Sequence, residues 1–131
     1  VNDVVLKAVS KFLNGNNIVI KSGDYKEVLK GIKKNSFVYL DPPYDPVSHS
    51  SNFTGYTMGG FGKDQQIELK EVCDELNKKK IKFLLSNSNT EFIRNLYNNY
   101  NIEIVNANRS INSIASKRGE VEEVLVRNYD I

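Results

Sequence analysis

The chain has 131 residues, of which 40% are hydrophobic and 26% charged, and its formal net charge is +2. This length fits one soluble domain, since a chain of this size buries roughly two thirds of its unfolded surface, and no apolar run approaches the roughly 18 residues that span a bilayer. One cysteine and one histidine exclude a disulfide scaffold and a Cys/His zinc site, and the small net charge excludes nucleic-acid binding driven by overall charge.

Apolar spacing in the first part of the chain predicts two helices and two strands. The first helix is predicted up to Gly15 by residues at helical spacing: Val4, Val5, Ala8, Val9 and Phe12. A short buried strand is predicted at 18–20, a turn at 22–24 and a short second helix at 25–33. The apolar run FVYL at 37–40 is typical of a parallel strand that is covered on both faces.

A long stretch from residue 41 to about 63 follows neither the helical nor the strand period. A stretch of this length in a compact domain is usually functional or disordered. A helix with Asp64 as its N-cap is predicted next, with Cys73 as a small core residue among those on its apolar face: Leu69, Val72, Cys73 and Leu76.

The remaining elements alternate in the same way. A strand at 81–86 precedes a helix for which Ser88 and Glu91 have the spacing of a capping box, and two more strands are predicted at 102–105 and 121–129. Alternating strands and helices predict an α/β fold with a largely parallel sheet and helices on its faces. Because no helix is predicted between the last two strands, we expect the final strand to be antiparallel to its neighbours.

Asp41, Pro42, Pro43 and Tyr44 follow directly on the strand FVYL, and ligands bind at the carboxyl ends of strands in folds of this kind. Both prolines lack an N–H group and have a fixed φ, so the segment is stiff and rich in hydrogen-bond acceptors. The Asp41 carboxylate and the carbonyls of Asp41 and Pro42 suit a group with two N–H bonds, and the Tyr44 ring suits stacking by a planar heterocycle. An exocyclic amino group on a nucleobase meets both requirements.

A resemblance to a known family is carried by three segments: FVYLDPPYDPVSHSSNFTGYT, the helix after it, and NRSINS…SKRGEVEEVL. Together they closely resemble the Dam-like (D12 class) adenine-specific DNA methyltransferases, over a range from about Ile18 to Tyr129. The resemblance implies a Rossmann-like methyltransferase sheet, S-adenosylmethionine as cofactor without a metal, double-stranded DNA as partner and a cytoplasmic location in a prokaryote. The DPPY motif alone is a weaker signal, because some RNA guanine N2 methyltransferases share it and protein-glutamine methyltransferases carry the related NPPY.

The same resemblance implies a mechanism at Asp41, Pro42, Pro43 and Tyr44. The target adenine is flipped out of the duplex and stacks on Tyr44. Hydrogen bonds from its N6 hydrogens to the Asp41 carboxylate and the Pro42 carbonyl free the N6 lone pair and oppose the positive charge that develops there. Transfer of the methyl group is direct and depends mainly on alignment. Asp41 is also expected beside the cofactor.

Three further groups of residues have roles implied by the resemblance. Asp24 accepts a hydrogen bond from the amino group of the cofactor's adenine, and Tyr25 lies against that ring. The alternative is structural, because a Gly-Asp pair is also common in turns where the Asp caps the N-terminus of a helix. Phe53 and Tyr56 line the flipped-base pocket or support its loop. Phosphates near the target are contacted by four loop residues: Arg109, Asn112, Lys117 and Arg118. Solvated loop charges are the alternative for Arg109, Lys117 and Arg118.

Two parts of the family pattern are missing from this sequence. Family members carry, near their N-terminus, a glycine-rich F-x-G-x-G loop that cradles the methionine part of the cofactor, and a helical domain that reads the DNA sequence. The G-x-G at 60–62 lies after DPPY and does not follow a strand. We therefore expect residues 1–131 to be the C-terminal portion of the catalytic domain, inactive alone, with the N-terminal half of the parent enzyme as its missing partner. Open sheet edges favour pairing between copies.

Other functions stay open at the level of the sequence. One is methylation of guanine N2 in RNA, against which the NFTGY and RSINS segments argue. Another is a non-catalytic fragment that binds nucleic acid. A structural domain with a coincidental motif is the remaining alternative.

Overall fold

The structure, a computed structural model, describes residues 2–15, 17–47, 60–108 and 120–131. The chain divides into two compact units, Val1–Gly31 and Ile32–Ile131. Among the described residues, the first unit contains two helices and the second contains two helices and a four-stranded sheet. No helix within these ranges is long and apolar enough to cross a membrane.

The first unit is built from α1 (Asp3–Leu13) and α2 (Tyr25–Lys30). The side chain of Asn2 caps α1 by accepting a hydrogen bond from the Val5 N–H at 3.2 Å. The predicted first helix is confirmed, but none of its residues is buried. The predicted second helix is also confirmed, and it is shorter than expected because Gly31 ends it.

The strand predicted at 18–20 is wrong. These residues adopt no regular secondary structure, and Val19 and Ile20 are 76% and 72% exposed. A short apolar run becomes a strand when a neighbouring strand takes up its N–H and C=O groups. None of the strands that the structure describes pairs with this run, so its apolar character alone does not make it a strand.

The sheet of the second unit consists of β1 (Phe37–Leu40), β2 (Lys82–Ser88), β3 (Asn101–Asn108) and β4 (Glu120–Arg127). Its order is β1-β2-β4-β3. β1 is parallel to β2, while β4 is antiparallel to both of its neighbours. The predictions of an α/β fold and of a final strand antiparallel to its neighbours are therefore confirmed. The prediction that FVYL is covered on both faces is wrong, because Val38 is buried on one face while Phe37 and Tyr39 on the other are 56% exposed.

The strand order departs from a strictly Rossmann-like one because β4 lies between β2 and β3. Three of the four described strands point in the same direction, as expected for a largely parallel sheet, but β1–β2 is the one parallel ladder among them. Antiparallel neighbours can be joined without the crossover that parallel strands require. The mixed, open sheet is consistent with a methyltransferase-like fold.

The second unit also contains α3 (Lys63–Lys78) and α4 (Glu91–Leu96). α3 packs against β2 through side chains that are at most 2% exposed: Leu69, Cys73 and Leu76. This burial confirms the predicted apolar face, including Cys73 as a core residue. It also fixes the helix beside the strand that follows it in the sequence.

Both predicted helix starts in this unit are wrong by two residues. α3 begins after Gly62 rather than Asp64, and the Gly62 N–H donates to the side chain of Gln65 at 2.9 Å. α4 is capped by Thr90, whose hydroxyl accepts from the Ile93 N–H at 3.2 Å. Ser88 does not serve as the cap because it remains in β2, where its hydroxyl is bonded elsewhere.

The core of the second unit contains completely buried side chains from the two central strands: Phe83, Leu85, Val124 and Val126. Asn128, just after β4, closes the amino end of β2. Its side-chain oxygen accepts from the Phe83 N–H at 2.8 Å, and its amide nitrogen donates to the Ile81 carbonyl at 2.9 Å. The opposite, carboxyl end of β2 is polar and faces the segment that follows β1.

Candidate functional site

The segment Asp41–Asp45, which we call the DPPYD loop, begins where β1 ends, beside the carboxyl end of β2. Side-chain exposure falls along the loop, because Asp41 is exposed, Tyr44 is half-buried and Asp45 is 7% exposed. The loop therefore presents its first residue to solvent and anchors its last residue in the interior. The structure brings the four sequence-predicted residues of the motif together at the predicted edge of the sheet.

The Asp41 carboxylate is held from one side. The Ser86 hydroxyl donates a hydrogen bond to Asp41 Oδ1 at 2.9 Å, and Ser86 Oγ in turn accepts from the Tyr39 hydroxyl at 3.3 Å. Within the described ranges, no donor reaches the second carboxylate oxygen of Asp41. This carboxylate is thus oriented by the protein and still able to accept a hydrogen bond from a ligand.

The Tyr44 ring is held at its hydroxyl end, which donates to Glu123 Oε2 on β4 at 3.2 Å. Burial raises the pKa of the Tyr44 phenol, a hydrogen bond with Ser86 lowers it, and the charge of Glu123 raises it again. The net direction is upwards from 10.0. Tyr44 is therefore a neutral, half-buried aromatic ring at physiological pH, whose faces suit apolar or stacking contacts.

The backbone on either side of Tyr44 is bonded to two buried side-chain amides. Gln66 Nε2 on α3 donates to the Pro43 carbonyl at 2.9 Å, and the Asp45 N–H donates to Asn87 Oδ1 on β2 at 2.9 Å. Gln66 and Asn87 are 1% and 0% exposed. A third hydrogen bond joins these two amides, because Asn87 Nδ2 donates to Gln66 Oε1 at 3.1 Å.

Asp45 ties the loop to the start of α4. Its carboxylate accepts from the Thr90 hydroxyl at 2.7 Å, and its carbonyl accepts from the Ser88 hydroxyl. A buried carboxylate is costly unless it is hydrogen-bonded, so the Thr90 contact satisfies a group that the fold requires at this place. The Pro42 carbonyl, by contrast, receives no hydrogen bond from any residue that the structure describes.

The sequence interpretation identified the motif but missed the residues that hold it: Ser86, Asn87, Ser88, Thr90, Gln66 and Glu123. A signal for the β2 residues was present, since the apolar strand IKFLL continues directly into the polar run SNSN. Polar residues at the carboxyl end of a strand, beside a strand that ends in an acceptor-rich loop, indicate a shared site. Gln66 and Glu123 have no comparable signal, because their roles depend on the packing of α3 and β4.

Asp24 and Tyr25 lie in the first unit. Asp24 is the N-cap of α2, and its Oδ1 accepts from the Lys26 N–H at 2.9 Å, which is the alternative role considered from the sequence. Its side chain is 51% exposed, with Lys26 Nζ 3.7 Å from Oδ2. This carboxylate keeps free acceptor capacity, so it fits the amino group of a cofactor's adenine. Tyr25 is the first, half-buried residue of α2.

Six other predicted residues fall outside the described ranges: Phe53, Tyr56, Arg109, Asn112, Lys117 and Arg118. Their roles in the base pocket and at phosphates stay predictions. Within the described part of the chain, no group of three or more His, Cys, Asp or Glu residues could hold a metal ion.

Comparison with known proteins supplies independent information on the family. The model of the D12 class N6 adenine-specific DNA methyltransferases matches residues 1–111. The chain is 37% identical over 129 residues to the Type II methyltransferase M1.LlaDCHI of Lactococcus lactis subsp. cremoris, covering 98% of the chain and 45% of that relative. It is 43% identical over 126 residues to the Type II methyltransferase M.MjaIII of Methanocaldococcus jannaschii, covering 95% of the chain and 43% of that relative.

A third relative carries a different name. The chain is 37% identical over 103 residues to a DNA adenine methylase of Haemophilus influenzae, covering 78% of the chain and 36% of that relative. The chain therefore spans less than half the length of these curated relatives.

Proposed function

This chain belongs to the family of D12 class N6 adenine-specific DNA methyltransferases, and we propose that its DPPYD loop holds the adenine of double-stranded DNA during N6 methylation. The proposal rests on the exposure and the hydrogen bonding of the Asp41 carboxylate. Its carboxylate is exposed, oriented through one oxygen by Ser86, and adjacent to a half-buried aromatic ring at the carboxyl end of a strand. These features suit an exocyclic amino group on a planar base.

Adenine N6 is a poor nucleophile because its lone pair is delocalised into the ring. In the proposed mechanism, one N6 hydrogen bonds to the Asp41 carboxylate and the other to the Pro42 carbonyl. Among the described residues, neither the second Asp41 oxygen nor the Pro42 carbonyl has a donor. Two fixed acceptors favour a tetrahedral nitrogen with an available lone pair, and they stabilise the positive charge that develops on N6.

Tyr44 supplies the surface on which the flipped base stacks. Its phenol is neutral at physiological pH, and the hydroxyl donates a hydrogen bond to Glu123. Base–aromatic stacking contributes about 1–3 kcal/mol per base, which offsets part of the cost of removing the base from the duplex. Pro42 and Pro43, whose φ angles are fixed, restrict the backbone between Asp41 and Tyr44.

S-adenosylmethionine, when bound, supplies an electrophilic methyl group on a sulfonium. We propose that Asp24 accepts a hydrogen bond from the adenine amino group of this cofactor, that Tyr25 lies against the adenine ring, and that Asp41 borders the cofactor site. The exposed Asp24 carboxylate supports the first role, since its cap bond occupies Oδ1. Phe53 and Tyr56 are proposed for the base pocket. DNA phosphates are proposed to be met by four residues: Arg109, Asn112, Lys117 and Arg118.

The chain spans 45% or less of the length of each relative compared above. We propose that the glycine-rich cofactor loop and the DNA-reading domain lie outside residues 1–131, that the chain alone is inactive, and that the protein acts in the cytoplasm of a prokaryote. β1 and β3 are the outer strands of the described sheet, and we propose that open sheet edges favour pairing between copies, which light scattering measures.

The proposed function is tested by methyl transfer. The complete protein that carries this chain is incubated with S-adenosylmethionine labelled in its methyl group and with duplex DNA or ribosomal RNA, and the methylated base is then identified. We expect N6-methyladenine in the DNA. N2-methylguanine in the RNA would instead support the RNA-methyltransferase alternative, and binding of DNA without any transfer would support a non-catalytic role. The chain alone is assayed in parallel, and methyl transfer by the chain alone would refute its proposed inactivity.

A further inference from the structure

The buried amides of Gln66 and Asn87 are the feature of the site that the mechanism above does not use. They lie on different elements, α3 and β2, and both are at most 1% exposed. Burying two amides among apolar side chains is unfavourable unless each finds hydrogen-bond partners. Here they bond to each other at 3.1 Å, and each uses another atom to bond to the backbone of the DPPYD loop.

The two loop groups that these amides reach flank a single residue. The Gln66 side chain donates to the Pro43 carbonyl, and the Asn87 side chain accepts from the Asp45 N–H, so the peptide groups before and after Tyr44 are both fixed. The hydroxyl of Tyr44 is bonded to Glu123 at its far end. Both ends of the residue that carries the ring are therefore held by groups from three different elements of the fold.

We propose that the Gln66–Asn87 pair, which we call the amide bridge, is a positioning device that sets the position and orientation of the Tyr44 ring for the target base. This inference rests on the function proposed for the loop. The bridge transmits the positions of α3 and β2 to the loop through hydrogen bonds of 2.9 Å at both flanking peptides. Both amides bond to the loop backbone and are at most 1% exposed, so we expect their effect to be on alignment, where small displacements matter greatly.

The experiment replaces Gln66 with Met in the complete protein. Met has a similar length but no strong donor or acceptor, so Gln66→Met removes the bond to Pro43 and frees the loop on one side of Tyr44. The matched control is Asn128→Leu, which removes an amide that bridges Phe83 and Ile81 at the opposite end of β2. Each variant loses one bridging amide, but only Gln66 contacts the DPPYD loop.

Two readouts separate positioning from stability. The first is methyl transfer, with kcat and KM for DNA measured at a temperature where both variants are folded by circular dichroism. The second is the fluorescence of a duplex in which 2-aminopurine replaces the target adenine, which reports whether the base is unstacked and held. We expect Gln66→Met to lower kcat by about ten- to a hundredfold and to change the fluorescence of the bound duplex, while Asn128→Leu leaves both near the unmodified values.

The possible outcomes each decide the question. Equal losses in Gln66→Met and Asn128→Leu, or none in Gln66→Met, would overturn the positioning role. Tyr44→Ala is included as the reference for the proposed function: normal transfer in Tyr44→Ala overturns that function and this inference together, while loss in Tyr44→Ala with normal transfer in Gln66→Met overturns this inference alone. If Gln66→Met does not fold, Gln66→Leu replaces it, because Leu also lacks the donor to Pro43 and the acceptor for Asn87 and places no charge in the buried site.

Discussion

The two halves of β2 have different surroundings and different roles. In the first half, Phe83 and Leu85 are completely buried while Lys82 is exposed, which is the alternation of a strand with one covered face. In the second half, Ser86, Asn87 and Ser88 are all at most 4% exposed although all three are polar. The first half contributes hydrophobic burial, and the second half contributes oriented hydrogen-bonding groups.

The difference shows how one strand serves both stability and the site. Every polar side chain of the second half bonds to the DPPYD loop: Ser86 to the Asp41 carboxylate, Asn87 to the Asp45 N–H and Ser88 to the Asp45 carbonyl. Groups held by a strand in the middle of a sheet move little, so the loop takes its geometry from the core. Changes in the first half are therefore expected to affect folding, and changes around the second half to affect transfer.

The largest effect is expected from Phe83→Ala in the first half. The ring of Phe83 is completely buried and meets that of Tyr100 edge to face at 5.1 Å. Its removal should lower the free energy of unfolding by about 3–5 kcal/mol, measured by urea denaturation. The exposed neighbour supplies the control, since Lys82→Ala should change stability by no more than about 0.5 kcal/mol. A loss below about 1 kcal/mol in Phe83→Ala would contradict the assignment of this half to the core.

The next largest effect is expected from Asp41→Ala, at the residue that the second half orients. We expect methyl transfer by the complete protein to fall by about 10²–10³-fold, because one of two fixed acceptors for developing charge is lost. Stability should change little, since the Asp41 side chain is exposed. Near-normal transfer, or a loss that follows a loss of folded protein, would refute the role assigned to this carboxylate.

A smaller effect concerns Cys73, which packs in the apolar region under α3. Burial raises the pKa of this thiol from 9.0 to about 12, and a hydrogen bond with Tyr97 opposes the increase. The folded state thus keeps the proton that the unfolded state loses above pH 9. Between about pH 9 and 12 the free energy of unfolding should fall by about 1.4 kcal/mol per pH unit through this group.

The Cys73 prediction is measured by urea denaturation between pH 8 and 10. The same series is measured on Cys73→Ala, in which the tyrosines still titrate in this pH range. The difference between the two proteins in the slope of the free energy of unfolding against pH therefore comes from the thiol. Identical slopes in the two proteins would show that the thiol is not protected. Below pH 9 the thiol should contribute no pH dependence, because it is protonated in both states.

The smallest effect is expected from Ser86→Ala, which frees the Asp41 carboxylate without removing it. One hydrogen bond contributes about 1 kcal/mol, so we expect roughly a fivefold loss of transfer with little change in DNA affinity. Tyr39→Phe is the matched control, since it removes the hydroxyl behind Ser86 and keeps the bond to Asp41. A Tyr39→Phe variant that loses more activity than Ser86→Ala would contradict this order of contacts.

Much of the fold follows from local patterns in the sequence. The strands FVYL and IKFLLS were predicted from short apolar runs, and the apolar face of α3 was predicted from residues at helical spacing. Such runs indicate strands without showing which faces are covered, since Phe37 and Tyr39 on β1 are exposed. The candidate site was predicted at the DPPYD loop because this loop follows a strand directly and ligands bind at the carboxyl ends of strands. The antiparallel direction of β4 followed from the absence of a predicted helix before it.

The rest depends on contacts that no local pattern records. The run at 18–20 has the composition of a strand but no partner strand among the described residues. Ser88 has the spacing of an N-cap, yet its hydroxyl is used by Asp45, 43 positions away, and Thr90 caps α4 instead. Gln66 appears as an ordinary polar residue of a helix until α3 is packed against the loop. Residues that hold a site from behind are therefore the hardest to predict from one sequence.

The insertion of β4 between β2 and β3 has a consequence for how the protein forms during synthesis. Tyr44 and Glu123, which meet across the site, are separated by 79 positions, and Glu123 lies on β4, which comes after the other three strands of the described sheet in the sequence. A nascent chain that ends before β4 has the DPPYD loop but not its distal support, and the edge of β2 that β4 will cover is still open. Contacts of such long sequence separation form late and slowly. The loop should therefore acquire its final geometry only when translation of the sheet is complete, which pulse proteolysis of stalled chains would reveal.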